Sequence, residues 1–350
     1  MANDQVAAAS VSLPVETARE MTHCALAGAG LGPADAATVA DHLVDATRRG
    51  YPSYGLQRVP ELTSAVRRTP ASPVTVTRRN GPVAQLDGGG TIGYVVGRSA
   101  MSLALELASE FGVGVVGANN TYFTGLLGYY CEMAAERGLA SIVASSNEAL
   151  VAPAGGREAR LGTNPIAIGF PNGDEPIIWD IGTSAITRGE VWLHARRDEP
   201  LPAGVAIDPA GQPTTDATAA LAGAILPWGG HRGSGLSVMI QLLGLLAGAP
   251  DVGSREVGGH SAMLLIAVDP GRLSGPDDLA GRTARFTEYL RSTAGTGEDV
   301  VRLPFERSRL QRESSVAAGL TVDAALHAEL LKLARMGGFG GAAQPDRSAD

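Results

Sequence analysis

From residue 13 to about residue 64 the apolar positions recur at helical spacing. They run first through PVETAREMTHCALAGAGLG and then through PADAATVADHLVDATRRG, where Pro33 and Asp35 mark a helix start. Between residues 74 and 97 the pattern shortens to alternating runs, broken by Gly88, Gly89 and Gly90. Beyond that the two periods alternate. Residues 97–111 predict an amphipathic helix, VGVVGA a buried strand, 125–137 a helix and LASIVAS another strand. Further strands are predicted at 166–170, 176–180 and 263–268, and further helices at 216–224, 235–246 and 277–293. After Val300 the chain turns helical again, through FERSRLQRESSVAAG and DAALHAELLKLARM.

This order predicts an α/β domain over residues 76–299 and a helical domain formed by residues 11–75 together with 300–336. Residues 1–10 and 337–350 are small and polar or rich in Gly and Pro, and disorder is expected there. A dinucleotide-binding Rossmann unit needs GxGxxG between a first strand and its helix. GAGLG at 28–32 has another spacing and follows a helix, so a non-Rossmann arrangement is expected. The longest apolar stretch, 236–249, contains Gln241 and is too short to span a bilayer; it reads as a buried helix.

Charge narrows the possible partners. The 350 residues carry 28 basic and 36 acidic side chains, a net charge of −8, and no basic run, which argues against nucleic acid and leaves small molecules. No membrane partner is expected. Cys24 and Cys131 are the only cysteines and no apolar signal segment opens the chain, a pattern expected of a cytoplasmic protein without structural disulfides. Lys332 is the only lysine, on a C-terminal amphipathic stretch, so lysine chemistry is not expected. The six histidines form no HExxH or close pair, and no metal is expected. His23, His42 and His327 fall in amphipathic helices as surface or packing residues, and Cys131 reads as a buried inert thiol.

The densest candidate chemistry is GGHRGSG at 229–235, directly ahead of the long apolar run. Glycine lets a backbone approach a ligand, a helix N-terminus offers N–H groups without intrahelical partners, and Arg232 supplies a planar fork of donors. Taken alone, the same glycines also fit tight turns beside a solvated arginine. Three further stretches carry polar groups on turns. RRGYPSYGLQRVP holds Ser53, Tyr54 and Arg58, GGREARLGTNP holds Thr163 and Asn164, and WDIGTSAITRG follows Asp180 with Gly182, Thr183 and Ser184.

In order and interval, RGYPSYGLQRVP, LGTNP, WDIGTS, DPAGQPTTD, LPWGGHRGSG and VRLPFERS resemble the malate/L-lactate dehydrogenase family. That family also holds sulfolactate, ureidoglycolate and diketogulonate oxidoreductases and cyclic-imine reductases. The likeness runs from about residue 13 to residue 333. It implies a non-Rossmann α/β fold with a mixed sheet, a helical domain from both termini, and a homodimer that binds NAD or NADP. It places Asp180, Gly182, Thr183, Ser184 and Ile186 along the cofactor and His231, Arg232 and Gly233 at its phosphates, with Arg232 where relatives usually carry lysine. Glu306 and Arg307 would close the site, behind Phe305 in place of a usual glycine. Arg58 would hold the carboxylate of a small substrate by a bidentate pair, with Thr163 and Asn164 as further substrate contacts.

The departures from the family bear on the chemistry. Where relatives carry Ser-His-Gly this chain has Ser53-Tyr54-Gly55, and where they carry Asn-His-Phe-Gly or similar it has Tyr122, Phe123, Thr124 and Gly125. Ala154 stands at a common tryptophan. Hydride addition to a ketone develops an alkoxide that needs a proton donor. Tyr54 is the first candidate, with Ser53 and Tyr122 beside it in the catalytic set. A phenol with an ordinary pKa of about 10 donates well and accepts poorly, which favours reduction over oxidation. A protonated imine needs no acid at all. The expectation is an NAD(P)-dependent oxidoreductase reducing a small 2-keto acid or cyclic imino acid. The alternative is a cofactor-binding or structural descendant without redox turnover.

Overall fold

The computed structural model describes residues 10–69, 71–173, 175–251, 261–275, 278–293 and 301–340. The elements of its first part are β1 (Ser10–Leu13), α1 (Val15–Ala27), α2 (Pro33–Arg48), two 3₁₀ turns (Pro52–Tyr54 and Leu56–Arg58) and α3 (Val59–Arg68). Then follow β2 (Thr75–Asn80), β3 (Val83–Asp87), α4 (Gly93–Phe111), β4 (Val113–Thr121), α5 (Leu127–Ala135), β5 (Ala140–Ser146), β6 (Ile166–Phe170) and β7 (Ile177–Ile181). Next come α6 (Arg188–Arg197), β8 (Ala206–Ile207), α7 (Ala217–Ala222), β9 (Ala224–Ile225) and α8 (His231–Leu246). The chain closes with β10 (Ser261–Val268), α9 (Pro270–Ser274), α10 (Leu279–Arg291), α11 (Glu306–Ala318), β11 (Leu320–Asp323) and α12 (Ala324–Met336). Two compact units result, Met1–Arg68 with Gln311–Asp350 and Thr69–Leu310, so the unit borders fall after residues 68 and 310.

In the first unit β1 and β11 pair antiparallel, Ser10 opposite Asp323 and Leu13 opposite Leu320, which ties the two ends of the chain together. The apolar sides of α1, α2, α3 and α12 meet over Met21, Leu26, Val39, Leu43, Leu62 and Leu330, all buried. Gly337–Gly340, in the stretch where disorder is expected, are placed, and Phe339 is buried. The rest of both predicted tails, 1–9 and 341–350, lies outside the described residues. Charge is buried here as well. Arg49 is 1% exposed and pairs with Asp45, whose other oxygen lies 3.5 Å from Arg312.

The second unit is built on a seven-stranded mixed sheet ordered β2-β3-β4-β10-β5-β6-β7. Only β3 and β4 run parallel, joined by the α4 crossover; the other neighbours are antiparallel. Strand β10 shows the two-residue period that separates the faces. Met263, Leu265 and Ala267 enter the core shared with α4 and α5, while Ala262, Leu264 and Ile266 face Leu243 and Ala247 on the other side. A satellite lobe gathers α6, α7, β8 and β9 around Val151, Leu161, Ile186, Val191 and Ile225.

Helix α8 differs from the sequence expectation of a buried helix. Gly233, Ser234, Ser237, Ile240 and Gly244 are buried, whereas Val238, Met239, Leu242, Leu245 and Leu246 are exposed. Its small residues face inward because the helix lies close to the sheet. A Cβ on Gly244 would sit 2.0 Å from the Ser146 hydroxyl oxygen. The large side chains are therefore left on the outside. Helix α6, absent from the sequence expectation, buries Val191 and packs Ala195 against the satellite core. Its start is set by a capping box in which Thr187 and Glu190 satisfy each other's backbone N–H groups.

His42 on α2 is fully buried, and burial first, with Arg49 second, pulls its pKa from 6.5 down to about 3. The folded pKa lies below the unfolded one, so the unfolded chain takes up the proton first as pH falls. Stability from this group is complete above pH 6.5 and is lost between pH 6.5 and about 3. The slope there is about 1.4 kcal/mol per pH unit. Urea unfolding at pH 7.5 and 4.5 should show His42→Gln losing less stability on acidification than the wild type. Equal losses would remove His42 as the acid-sensitive group.

Candidate functional site

The N-terminal end of α8 is assembled from two crossing segments. Residues 183–185 run beside 226–228, with the Ala185 N–H donating to Leu226 O and the Trp228 N–H to Thr183 O. Gly229 and Gly230 then take φ of +58° and +60°, a left-handed conformation that favours glycine, and turn the chain into the helix. Gly230 provides no side-chain cap. The N–H groups of Arg232, Gly233 and Ser234 return to the carbonyls of Gly229, Trp228 and Gly230. Those of Gly230 and His231 have no acceptor among the described residues. His231 and Arg232 are exposed, and Arg232 has no ion-pair partner among the described residues. The positive end of a 16-residue helix is thus open and flanked by a cation.

Two polar atoms beside this end are buried without a hydrogen-bond partner among the described residues, the Ser184 hydroxyl and the Trp228 indole N–H. A buried polar atom without a partner is costly, so a pair of them next to an open helix terminus marks a place where a ligand can supply the missing bonds.

The other sequence candidates in this unit separate into structural and open groups. Asp180 on β7 accepts from the Gly128 N–H at 2.7 Å and so caps α5. Thr183 is buried, with both its N–H and its hydroxyl on Thr163 O at 2.9 Å. Ile186 belongs to the satellite core, Gly233 is buried under the Trp228 carbonyl, and Gly182 and Thr163 are half-buried. Asn164, expected among the substrate contacts, is fully buried at φ +34°. Its Nδ2 lies 3.0 Å from Ser237 O, 3.1 Å from Ser237 Oγ and 3.0 Å from Gln241 Oε1, and its Oδ1 accepts from the Asn147 N–H. The amide is saturated by its own fold.

Glu306, expected to close the site, accepts from the Leu303 N–H at 3.0 Å and lies 3.3 Å from Arg291. The Leu303 N–H, followed by Arg291 and Arg309, holds its carboxyl below the usual range against the effect of burial. Arg307 is exposed. Phe305, where the resemblance expects glycine, has φ +77°, the conformation in which glycine is at ease. Packing of its ring against the core under α4 and α5 offsets that strain.

Residues 122–125 form a pinned loop. Tyr122 O accepts from the Gly93 N–H, the buried Tyr130 hydroxyl donates to Thr124 O at 2.9 Å, and the Thr124 and Ser145 hydroxyls lie 3.1 Å apart. Phe123 has φ +54° and meets the Tyr122 ring edge-on at 5.5 Å. The half-buried Tyr122 phenol bonds Thr69, and burial outweighs that bond and raises its pKa, so the proton is held. In the first unit, Ser53 and Tyr54 lie on the first 3₁₀ turn and Arg58 on the next, all half-buried. Arg58 pairs with Glu61 at 2.7 Å.

Sequence reasoning missed Trp228, Ser234, Ser237 and Gln241. Ser234 Oγ accepts from the Ala154 N–H at 3.0 Å and so holds the 152–156 loop on α8. The available signal was a set of polar residues at positions 234, 237 and 241, on one side of an otherwise apolar helix.

The chain resembles known proteins over nearly its whole length. Residues 13–331 match the family model described as malate/L-lactate dehydrogenase. An L-sulfolactate dehydrogenase of Methanothermobacter thermautotrophicus is 36% identical over 85% of this chain and 89% of its own. A Delta(1)-pyrroline-2-carboxylate/Delta(1)-piperideine-2-carboxylate reductase of Pseudomonas aeruginosa is 35% identical over 92% of this chain and 99% of its own. The crystal structure of a dehydrogenase from Sinorhizobium meliloti superposes with a TM-score of 0.85 at 33% identity, covering 93% of this chain and 98% of that one. With its mixed sheet and an open, cationic helix end in place of a Rossmann turn, the chain belongs to the malate/L-lactate dehydrogenase family of oxidoreductases.

Proposed function

We propose that this protein is a nicotinamide-dependent reductase that holds NAD or NADP at the N-terminal end of α8 and reduces a small 2-keto acid or cyclic imino acid. The observation that carries the reading is the uncapped α8 terminus with exposed His231 and Arg232 next to the unsatisfied Ser184 and Trp228 atoms. The donor set fits a dinucleotide. Backbone N–H groups and a guanidinium suit its phosphates, while a hydroxyl and an indole N–H suit its oxygen-rich sugars and amide. The relatives named for sulfolactate and for pyrroline and piperideine carboxylates act on small carboxylates, which supports the substrate class.

When bound, the dinucleotide supplies the hydride. Tyr54 is assigned the proton that a ketone oxygen needs, and Arg58 the substrate carboxylate, for which it would exchange its surface pair with Glu61. Tyr122, whose phenol is held protonated by burial, completes the set of donors. A protonated cyclic imine accepts hydride without any of them.

The protein is further proposed to be a cytoplasmic homodimer. Its free cysteines, Cys24 and Cys131, suit a reducing compartment. The second copy is the occupant that the outer side of α8 calls for. Val238, Met239, Leu242, Leu245 and Leu246 stand exposed on the face of the sheet where Val115, Ile266, Ile142, Ile168 and Trp179 form one cross-strand apolar row, with Ile142 and Trp179 open. A projecting apolar helix beside an open apolar sheet row is self-complementary, as a two-fold interface requires.

Fluorescence titration should show saturable binding of NADH or NADPH below millimolar concentration. Arg232→Ala should weaken it about tenfold, the loss of a charge-assisted bond, at unchanged melting temperature. No binding by the wild type at millimolar cofactor would end the reductase reading, and binding without turnover on either substrate class would favour a cofactor-binding descendant. Steady-state kinetics should show Tyr54→Phe losing roughly 10²-fold or more in kcat on a 2-keto acid and little on a cyclic imino acid; full ketone activity would exclude Tyr54 as donor. Light scattering after gel filtration should find a dimer that Leu242→Glu converts to monomer, whereas a monomeric wild type would refute the interface.

A further inference from the structure

Between Leu236 and Leu246 helix α8 is apolar except at Ser237 and Gln241, and the Gln241 side chain is turned onto a buried partner. Three polar residues on one side of the helix each hold a loop. Ser234 Oγ accepts from the Ala154 N–H, Ser237 Oγ lies 3.4 Å from Gly162 O, and Ser237 and Gln241 together receive the Asn164 amide. Asn164 is a shared reference point. Its Oδ1 is fixed by the Asn147 N–H at the end of β5, and the preceding carbonyl, Thr163 O, takes both donors of Thr183. Thr183 in turn adjoins Ser184 and accepts from the Trp228 N–H. The open end of α8 and the segment carrying the two unsatisfied atoms are therefore registered against one loop, 161–165.

We infer that Gln241 is a positioning residue for the anion cradle, acting through Asn164 to set the height and rotation of α8 on the sheet. Three turns of helix separate Gln241 from the cradle, so it touches no ligand. Packing alone does not set that placement. The buried side of α8 is made largely of glycine and serine, which leave few interlocking side chains to resist sliding, and the polar clamp supplies the missing register. The inference rests on the proposed cofactor site for its binding readout but not for its structural one.

The test compares Gln241→Met, which keeps the shape and removes the acceptor, with Gln241→Glu, which keeps an acceptor oxygen, and with Ile240→Ala, which opens a cavity at a fully buried neighbour. Hydrogen exchange of the ligand-free protein over residues 230–237 should be about tenfold faster in Gln241→Met than in wild type and restored in Gln241→Glu. The dissociation constant for NADH or NADPH, whichever the wild type binds, should rise roughly fivefold to tenfold in Gln241→Met alone, with kcat at saturating cofactor near wild type. Ile240→Ala should lower the melting temperature more and the affinity less. The inference is overturned if Gln241→Met exchanges and binds like wild type, or if the affinities of Gln241→Met and Ile240→Ala fall in proportion to their melting temperatures. A wild type that binds neither dinucleotide refutes the cofactor reading, while the exchange comparison still decides the role of Gln241.

Discussion

The close seat of α8 on the sheet is the constraint on which the two sides of that helix depend. Gly244 is held against Ser146 at a separation that leaves no room for a β-carbon, so the inner side of the helix is restricted to small residues. Its large apolar residues are consequently displaced to the outside. The same restriction removes the interlocking that would hold the helix in register, and hydrogen bonds from Asn164 to Ser237 and Gln241 take over that task. One packing decision thus produces an apolar outer surface and a polar clamp.

Much of the fold was legible where burial and periodicity agree. Strands β6 and β10 are near-continuous apolar runs, and α4 and the helices α1, α2 and α12 of the first unit carry one apolar side, so period alone located them. The alternating runs over 74–97 contain β2 and β3, although all six residues of β2 are exposed. The misses occur where burial is slight or deceptive. Helix α6 buries little beyond Val191 and announces itself through Thr187 and Glu190. In α8, composition indicated burial, but composition cannot report that the small residues take the inside.

The candidate site was legible in its glycines and arginine and less so in its neighbours. Gly229, Gly230 and Arg232 advertise an anion because their conformational freedom and charge are intrinsic to the residue. Asn164, Asp180 and Thr183 are polar residues on turns, the same class of signal, yet their donors and acceptors are engaged within the fold. A turn residue that serves a ligand and one that caps a helix or bridges two loops look alike in sequence, because both are chosen for short polar side chains that compete for nearby backbone groups. Only the inventory of partners separates them. It also brought forward Trp228, whose unsatisfied indole N–H has no sequence signature.

The proposed use of a tyrosine as proton donor constrains direction more than it constrains substrate. An imidazole titrates near neutrality and can give or take a proton, whereas a phenol near pH 7 holds its proton and can only give it. Burial strengthens the bias, since it disfavours the phenolate; the raised pKa of Tyr122 is the case seen here. Arginine is the principal cation available to oppose that shift, because Lys332 is the only lysine in the chain. A phenol proposed as proton donor is therefore suited to supplying a proton to a reduced product, and unsuited to removing one from an alcohol at neutral pH.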